Sequence, residues 1–122
     1  MKNVDLPEKF ANAKVIQLYI KNQPWLVGRV STDANEVYHS QILEDILKSL
    51  KIKFSMNAEG VPELFARGYR VAGMGKCKKS KGTYYFSGYS ASYSTDEKEF
   101  GINRNHLEDF QKINPEFKYQ VK

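Results

Sequence analysis

Residues 13–30 read AKVIQLYIKNQPWLVGRV. The first eight are largely apolar and rich in β-branched side chains, with Ile16, Leu18 and Ile20 on one side of an extended chain. KNQP (21–24) supplies turn chemistry and WLVGRV (25–30) returns as a second strand, so the stretch predicts a β-hairpin. Downstream the period changes. Asp33 and Glu36 stand as a helix cap and its reciprocal partner. Leu43, Ile46, Leu47 and Leu50 then recur at helical spacing, which predicts an amphipathic helix over about 35–50. KIKFSM (51–56) reverts to period two, a short half-buried strand. Pro62 suits the first position of a short helix over VPELFARGY (61–69), limited by Gly68. RVAGMGKC (70–77) reads as a glycine-loosened strand that leads through KKSKG (78–82) into a tyrosine-rich strand.

Asn105 and Glu108 offer a cap for HLEDFQKI (106–113), where Leu107 and Phe110 share a face, and Asn114-Pro115 stops that helix. EFKYQVK (116–122) closes as a strand with Phe117, Tyr119 and Val121 inward. The order ββαβαββαβ implies an α+β fold with mainly antiparallel sheet. The expected organisation is one globular domain over 1–122, its first ten residues a flexible tail.

Composition narrows the function. No apolar run approaches the roughly 18–20 residues of a membrane span, and MKNVDLPEKF lacks the apolar centre of a signal peptide. The single Cys77 has no internal disulfide partner, so a cytoplasmic protein is expected. His39 and His106 are isolated from each other, which gives no support to a histidine-rich metal site, and Cys77 reads as a structural thiol. GMGK (73–76) is not a phosphate loop, because Arg70 and Cys77 stand where that pattern needs Gly and Ser or Thr. Glu44/Asp45, Glu97/Glu99 and Glu108/Asp109 read as surface charges rather than a general acid and base. A binding protein without catalysis is expected, needing no cofactor and no metal.

The charge is unevenly placed. No acid lies between Glu63 and Asp96, a stretch holding Arg67, Arg70, Lys76, Lys78, Lys79 and Lys81; the remaining thirteen basic and fourteen acidic residues nearly cancel. Such a local field favours an anionic partner, although Lys78, Lys79 and Lys81 read as a solvated hairpin tip. Beside it runs GTYYFSGYSASYS (82–94), with Tyr85, Tyr89, Ala91 and Tyr93 on one side and Tyr84, Phe86, Ser90, Ser92 and Ser94 on the other. Gly88 is placed to interrupt that alternation. Phe86, beside the bend, is the preferred ring for stacking a base, and Tyr89 the second. Four arginines complete the set. Arg29 shares a strand face with Trp25 and Val27, Arg67 and Arg70 lie three apart, and Arg104 precedes a helix N-terminus. Guanidinium forks grip phosphate through paired hydrogen bonds, so arginines converging on a ring predict a pocket for a small nucleotide. An extended nucleic acid is the poorer fit to a chain whose remainder is nearly neutral.

The size, the hairpin AKVIQLYIKNQPWLVGRV, the segment LFARGYRVAGMGKC, the tyrosine strand and the closing INRNHLEDF resemble the first family of phage anti-Thoeris proteins. These are small sponges for a cyclic ADP-ribose isomer made by bacterial immune TIR enzymes. The resemblance implies an α+β protomer in a homodimer or higher homo-oligomer, acting in the cytoplasm of the infected host. It implies that Phe86 and Arg104 contact the base, that Arg29 with Arg67 or Arg70 holds the phosphates, and that Asn103 and Ser92 reach the ribose or base edge. The ligand would be a cyclic ADP-ribose isomer such as glycocyclic ADP-ribose, sequestered uncleaved so that the Thoeris effector is not activated. Some relatives also hold cyclic trinucleotides at a second site. The competing readings are a nucleic-acid-binding inhibitor module and a cyclic-nucleotide hydrolase.

Overall fold

A computed structural model describes residues 1–31, 37–58, 60–90, 93 and 100–122. After a two-residue strand β1 (Val4–Asp5), the hairpin forms from β2 (Ala13–Ile20) and β3 (Gln23–Arg29). Its turn is shorter than the four residues expected. Lys21 and Asn22 alone make it, at φ of 51° and 64°, and Pro24 already lies in β3 opposite Tyr19. Two successive left-handed residues match the twist of the strands they join.

The small strands β4 (Ser55–Met56) and β5 (Pro62–Glu63) pair with each other, and the long β6 (Arg70–Ser80) returns to the main sheet. It is followed by β7 (Thr83–Ser87), β8 (Tyr89–Ser90), β9 (Phe100–Gly101) and, at the end, β10 (Lys118–Val121). The main sheet runs β1-β3-β2-β6-β7-β10. Its inner pairings are antiparallel, while β1 on β3 and β10 on β7 are parallel. The fold is α+β with a mainly antiparallel sheet, as expected.

One helix covers each face. α1 (His39–Ser49) places Ile42, Leu43, Ile46 and Leu47 against Ile16, Leu18, Val27 and Met74. α2 (Arg104–Ile113) places Leu107 and Phe110 among Val15, Leu26, Phe86 and Phe117 on the other side. Asn103 caps α2 by accepting the His106 N–H at 3.1 Å, two residues earlier than the cap expected at Asn105. The cap expected at Asp33 and Glu36 lies outside the described residues.

Three expectations fail for physical reasons. The helix over 61–69 does not form. Asn57 accepts the Val61 N–H at 2.9 Å and closes a turn, Pro62 and Glu63 pair with β4, and Phe65 is 66% exposed while Val61 is buried, so the helical face that Val61, Leu64 and Phe65 would share is split. The N-terminus is not a loose tail, because β1 pairs with β3 and Leu6 and Phe10 pack on the core. Gly73 and Gly75 do not loosen β6. A Cβ at Gly73 would lie 2.7 Å from the Gly101 carbonyl oxygen, and one at Gly75 would lie 2.6 Å from that of Ser87. Glycine lets neighbouring backbone cross the strand closely.

An aromatic groove at the hairpin turn

The expected arginine pocket is not assembled within the chain. Arg29 is engaged at the end of β3, where its guanidinium meets the Asp5 carboxylate at 2.9 Å and donates to the Gly28 carbonyl at 2.7 Å. Arg70 lies at the opposite end of the sheet and on its other face, its guanidinium 4.0 Å from the centre of the Tyr19 ring. That ring's hydroxyl donates to Asp109 of α2 at 2.6 Å, so Arg70 belongs to a structural Tyr19–Asp109 assembly. Arg104 is exposed at the first position of α2, and Arg67 is exposed on the turn between Ala66 and Tyr69.

Phe86 has no face to offer a base. It is fully buried, edge-on to Phe117 and Tyr119 in the core beneath α2. An uncharged tyrosine-rich strand does not reveal which side faces a helix; here Tyr84 and Phe86 are the core side and Tyr85 the outer one. Tyr89 is exposed, just after Gly88, whose φ of 79° breaks the strand as expected. Asn103 is committed to the fold. Its side chain caps α2 and donates to the Ala72 carbonyl, while its backbone exchanges hydrogen bonds with Gln17 at 2.7 and 2.8 Å. Ser92 lies outside the described residues.

A wide groove among the described residues lies elsewhere. A groove of about 690 Å³ opens beside the β2–β3 turn, within the roughly 300–1,000 Å³ usual for small-molecule sites. Trp25 and Tyr69, both half-buried, supply its rings, and Ile20, Leu50 and Ile52 its apolar floor. Lys21, Lys51 and Lys53 are exposed along it. Four segments build these walls: the N-terminal stretch at Asn3, the hairpin turn, the segment leaving α1, and the 66–69 turn, which is tied to the hairpin by the Asn22 N–H donating to the Gly68 carbonyl at 2.9 Å. None of the predicted arginines lines this groove; Arg67 stands in the turn between its lining residues Ala66 and Tyr69.

Backbone geometry marks the same place. Five non-glycine residues hold left-handed backbone among the described residues, namely Asn3, Lys21, Asn22, Lys51 and Lys81. Three of them, Asn3, Lys21 and Lys51, line the groove. Lys51 sits just past α1 where glycine is the usual occupant, and the Ile52 N–H there donates to the Leu47 carbonyl at 2.9 Å. A left-handed conformation costs an L-residue roughly 1 kcal/mol that glycine avoids. Lysines kept in such positions are therefore placed at some cost to the fold.

The remaining titratable groups are structural. Burial pushes the Cys77 thiol up to about 12, which makes it a poor nucleophile. Burial likewise holds the His106 imidazole down, to about 4, although its hydrogen bond to the Leu18 carbonyl and the nearby Asp109 oppose the shift. Among the described residues no three His, Cys, Asp or Glu side chains group as metal ligands, and no helix is long and apolar enough to cross a membrane. Compared with protein-family models and with curated proteins, the chain matches none.

The sequence reading missed Trp25, Tyr69 and the three groove lysines. One signal was present: the chain's only tryptophan stands three residues after a turn that carries a lysine. A ring of that size at a hairpin end is hard to bury completely.

Proposed function

We propose that this protein binds a small phosphorylated nucleotide in the Trp25–Tyr69 groove and holds it without making or breaking a bond. The observation that carries the reading is the pairing of aromatic rings with strained lysines around one cavity of nucleotide size. The indole or phenol stacks the base, and the three ammonium groups neutralise the phosphates as point charges. The sequence resemblance supplies the ligand class, a cyclic ADP-ribose isomer, and the setting, a phage-infected bacterium whose Thoeris signal is depleted by mass action. Such a sponge must bind more tightly than the host effector does. Nanomolar capture requires about −12 kcal/mol, within reach of a stacked base and several charge-assisted contacts. Homo-oligomerisation is part of the proposal, with Met56 and Phe65 as exposed apolar surface for a second copy.

The test is to mix protein with TIR-derived cyclic nucleotide, remove free ligand, denature by heat and chromatograph the supernatant. Intact nucleotide supports the proposal. A converted product means an enzyme, and an empty protein ends the reading. Trp25 also reports directly, since it is the only indole in the chain. Bound ligand should change its fluorescence, and Trp25→Ala should weaken capture about 5- to 150-fold, the worth of one stacked base. Unaltered capture by a folded Trp25→Ala protein would move the ligand out of this groove.

A further inference from the structure

The sheet face that α1 covers at the groove end carries a different surface at its other end. Strand register sets Arg29, Lys14, Lys76 and Ser87 side by side across β3, β2, β6 and β7. One pleat further along, Lys78, Tyr85 and Gln120 form the next row across β6, β7 and β10. Lys122 stands beside that row, its ammonium 5.4 Å from the centre of the Tyr85 ring. Lys14 and Lys122 lie outside the basic segment of the sequence; pairing brings them to Lys76 and Lys78. Lys78 is therefore part of a sheet face, and only Lys81 and Gly82 form the hairpin tip.

This face is hollowed. One concavity of about 250 Å³ is lined by Asn12, Lys14, Ser31 and Lys76, and another of about 280 Å³ by Lys78, Ser80, Tyr85 and Lys122. A smaller one between them shares Lys76, Lys78 and Lys122. Lys76, Lys78 and Lys122 are exposed, and the ion pairs among the described residues join Arg29, Lys48 and Lys112 to acids but none of these three. Lys14 stands opposite Lys76 in the register, its ammonium 5.0 Å from the centre of the Tyr38 ring. α1 begins nearby, with His39 bonded to the Gly75 carbonyl at 2.9 Å and no acid in its first turn, so the positive end of its dipole reinforces the field.

We propose that this face is a second binding surface, for single-stranded nucleic acid, with Lys14, Lys76, Lys78 and Lys122 on the phosphates and Tyr85 stacking one base. Among the described residues the face is a sheet surface on which lysines alternate with Ser87, Tyr85 and Gln120. Interleaved hydroxyl and amide groups with one ring fit unpaired nucleotides, whose π-faces are free. The surface is independent of the groove and of the nucleotide proposed there.

Fluorescence anisotropy with labelled 15-mer dT and rU over 20–200 mM KCl tests it. Four phosphate contacts predict that log K falls with log salt at a slope of about −3, near −0.7 for each contact on a single strand. In the Lys76→Gln/Lys78→Gln protein the slope should become shallower by about 1.4. Tyr85→Thr, a strand-compatible change, should weaken binding at least 5-fold with its slope unaltered. Melting curves confirm that each variant is folded, and Trp25→Ala should bind the oligonucleotides as the parent does. Absence of binding at 20 mM KCl overturns the proposal. So does an unchanged slope in the double lysine variant, or tighter binding to duplex DNA or to anionic lipid vesicles than to the single strand.

Discussion

His106 is buried between β2 and α2 with both ring nitrogens engaged, one 2.8 Å from the Leu18 carbonyl and the other 3.2 Å from the Gln17 amide. A neutral ring donates to the carbonyl and accepts from the amide. Burial lowers its pKa from 6.5 to about 4, so below pH 6.5 the unfolded chain gains a proton that the native chain refuses. Stability from this group is complete above pH 6.5 and declines as pH falls toward 4, by about 3 kcal/mol in all. Urea unfolding at pH 7.5, 6 and 5 should show about 2 kcal/mol of that loss by pH 5. In His106→Gln most of the dependence should vanish, leaving the smaller share of His39, whose pKa burial shifts the same way. Equal pH slopes in parent and variant would contradict this account. The residue scale is also where the sequence was least legible. Phe86 and Arg70 have the residue types of a nucleotide site, yet one fills the core and the other covers Tyr19, because sidedness is decided by partners far along the chain.

Elements were more legible than their ends. Period two over 13–30 and the helical stripe from Leu43 to Leu47 survive because burial of one face enforces them. The 61–69 segment holds Val61, Leu64 and Phe65 at helical spacing, yet Phe65 stays exposed and the local bonding of Asn57 prevailed over the N-terminal preference of Pro62. The strands of β6 and β7 were legible too, but the cause of the glycines was not, since residues 101–103 cross β6 from far away in sequence. A trade-off follows for the segment that leaves α1. Lys51 holds φ of 57° and lines the groove. Lys51→Gly should stabilise the fold by about 0.5–1 kcal/mol, because glycine takes that conformation without strain. The same change should weaken nucleotide capture, since it removes one of three groove cations. Thermal melting and capture measured on one preparation would read both. A variant that melts lower, or that melts higher with capture intact, would remove the functional argument from Lys51.

Across the whole molecule, α1 runs along one sheet face from the lysine surface at His39 to the groove at Leu50. The positive charge that the sequence concentrates between Glu63 and Asp96 is divided differently in space. Lys76 and Lys78 join Lys14 and Lys122 at one end, while Lys21, Lys51 and Lys53 form a separate group at the other. Lys14 and Ile20 mark the two ends on β2, about 20 Å apart at roughly 3.3 Å per residue. That span exceeds the Debye length of about 8 Å at physiological salt, and packed Ile16, Leu18 and Val27 lie between the two sites. Nothing in this arrangement gives the sites two alternative packings to share, so the coupling between them should be electrostatic and screened. At 150 mM KCl a saturating oligonucleotide should alter the nucleotide Kd by less than about 2-fold, which corresponds to under 0.5 kcal/mol. At 10 mM, where the Debye length is about 30 Å, the bound polyanion should weaken nucleotide binding measurably. A change above 5-fold at 150 mM would mean that the two ligands compete for one site or share a conformational element, and the division of this face into two independent sites would not stand.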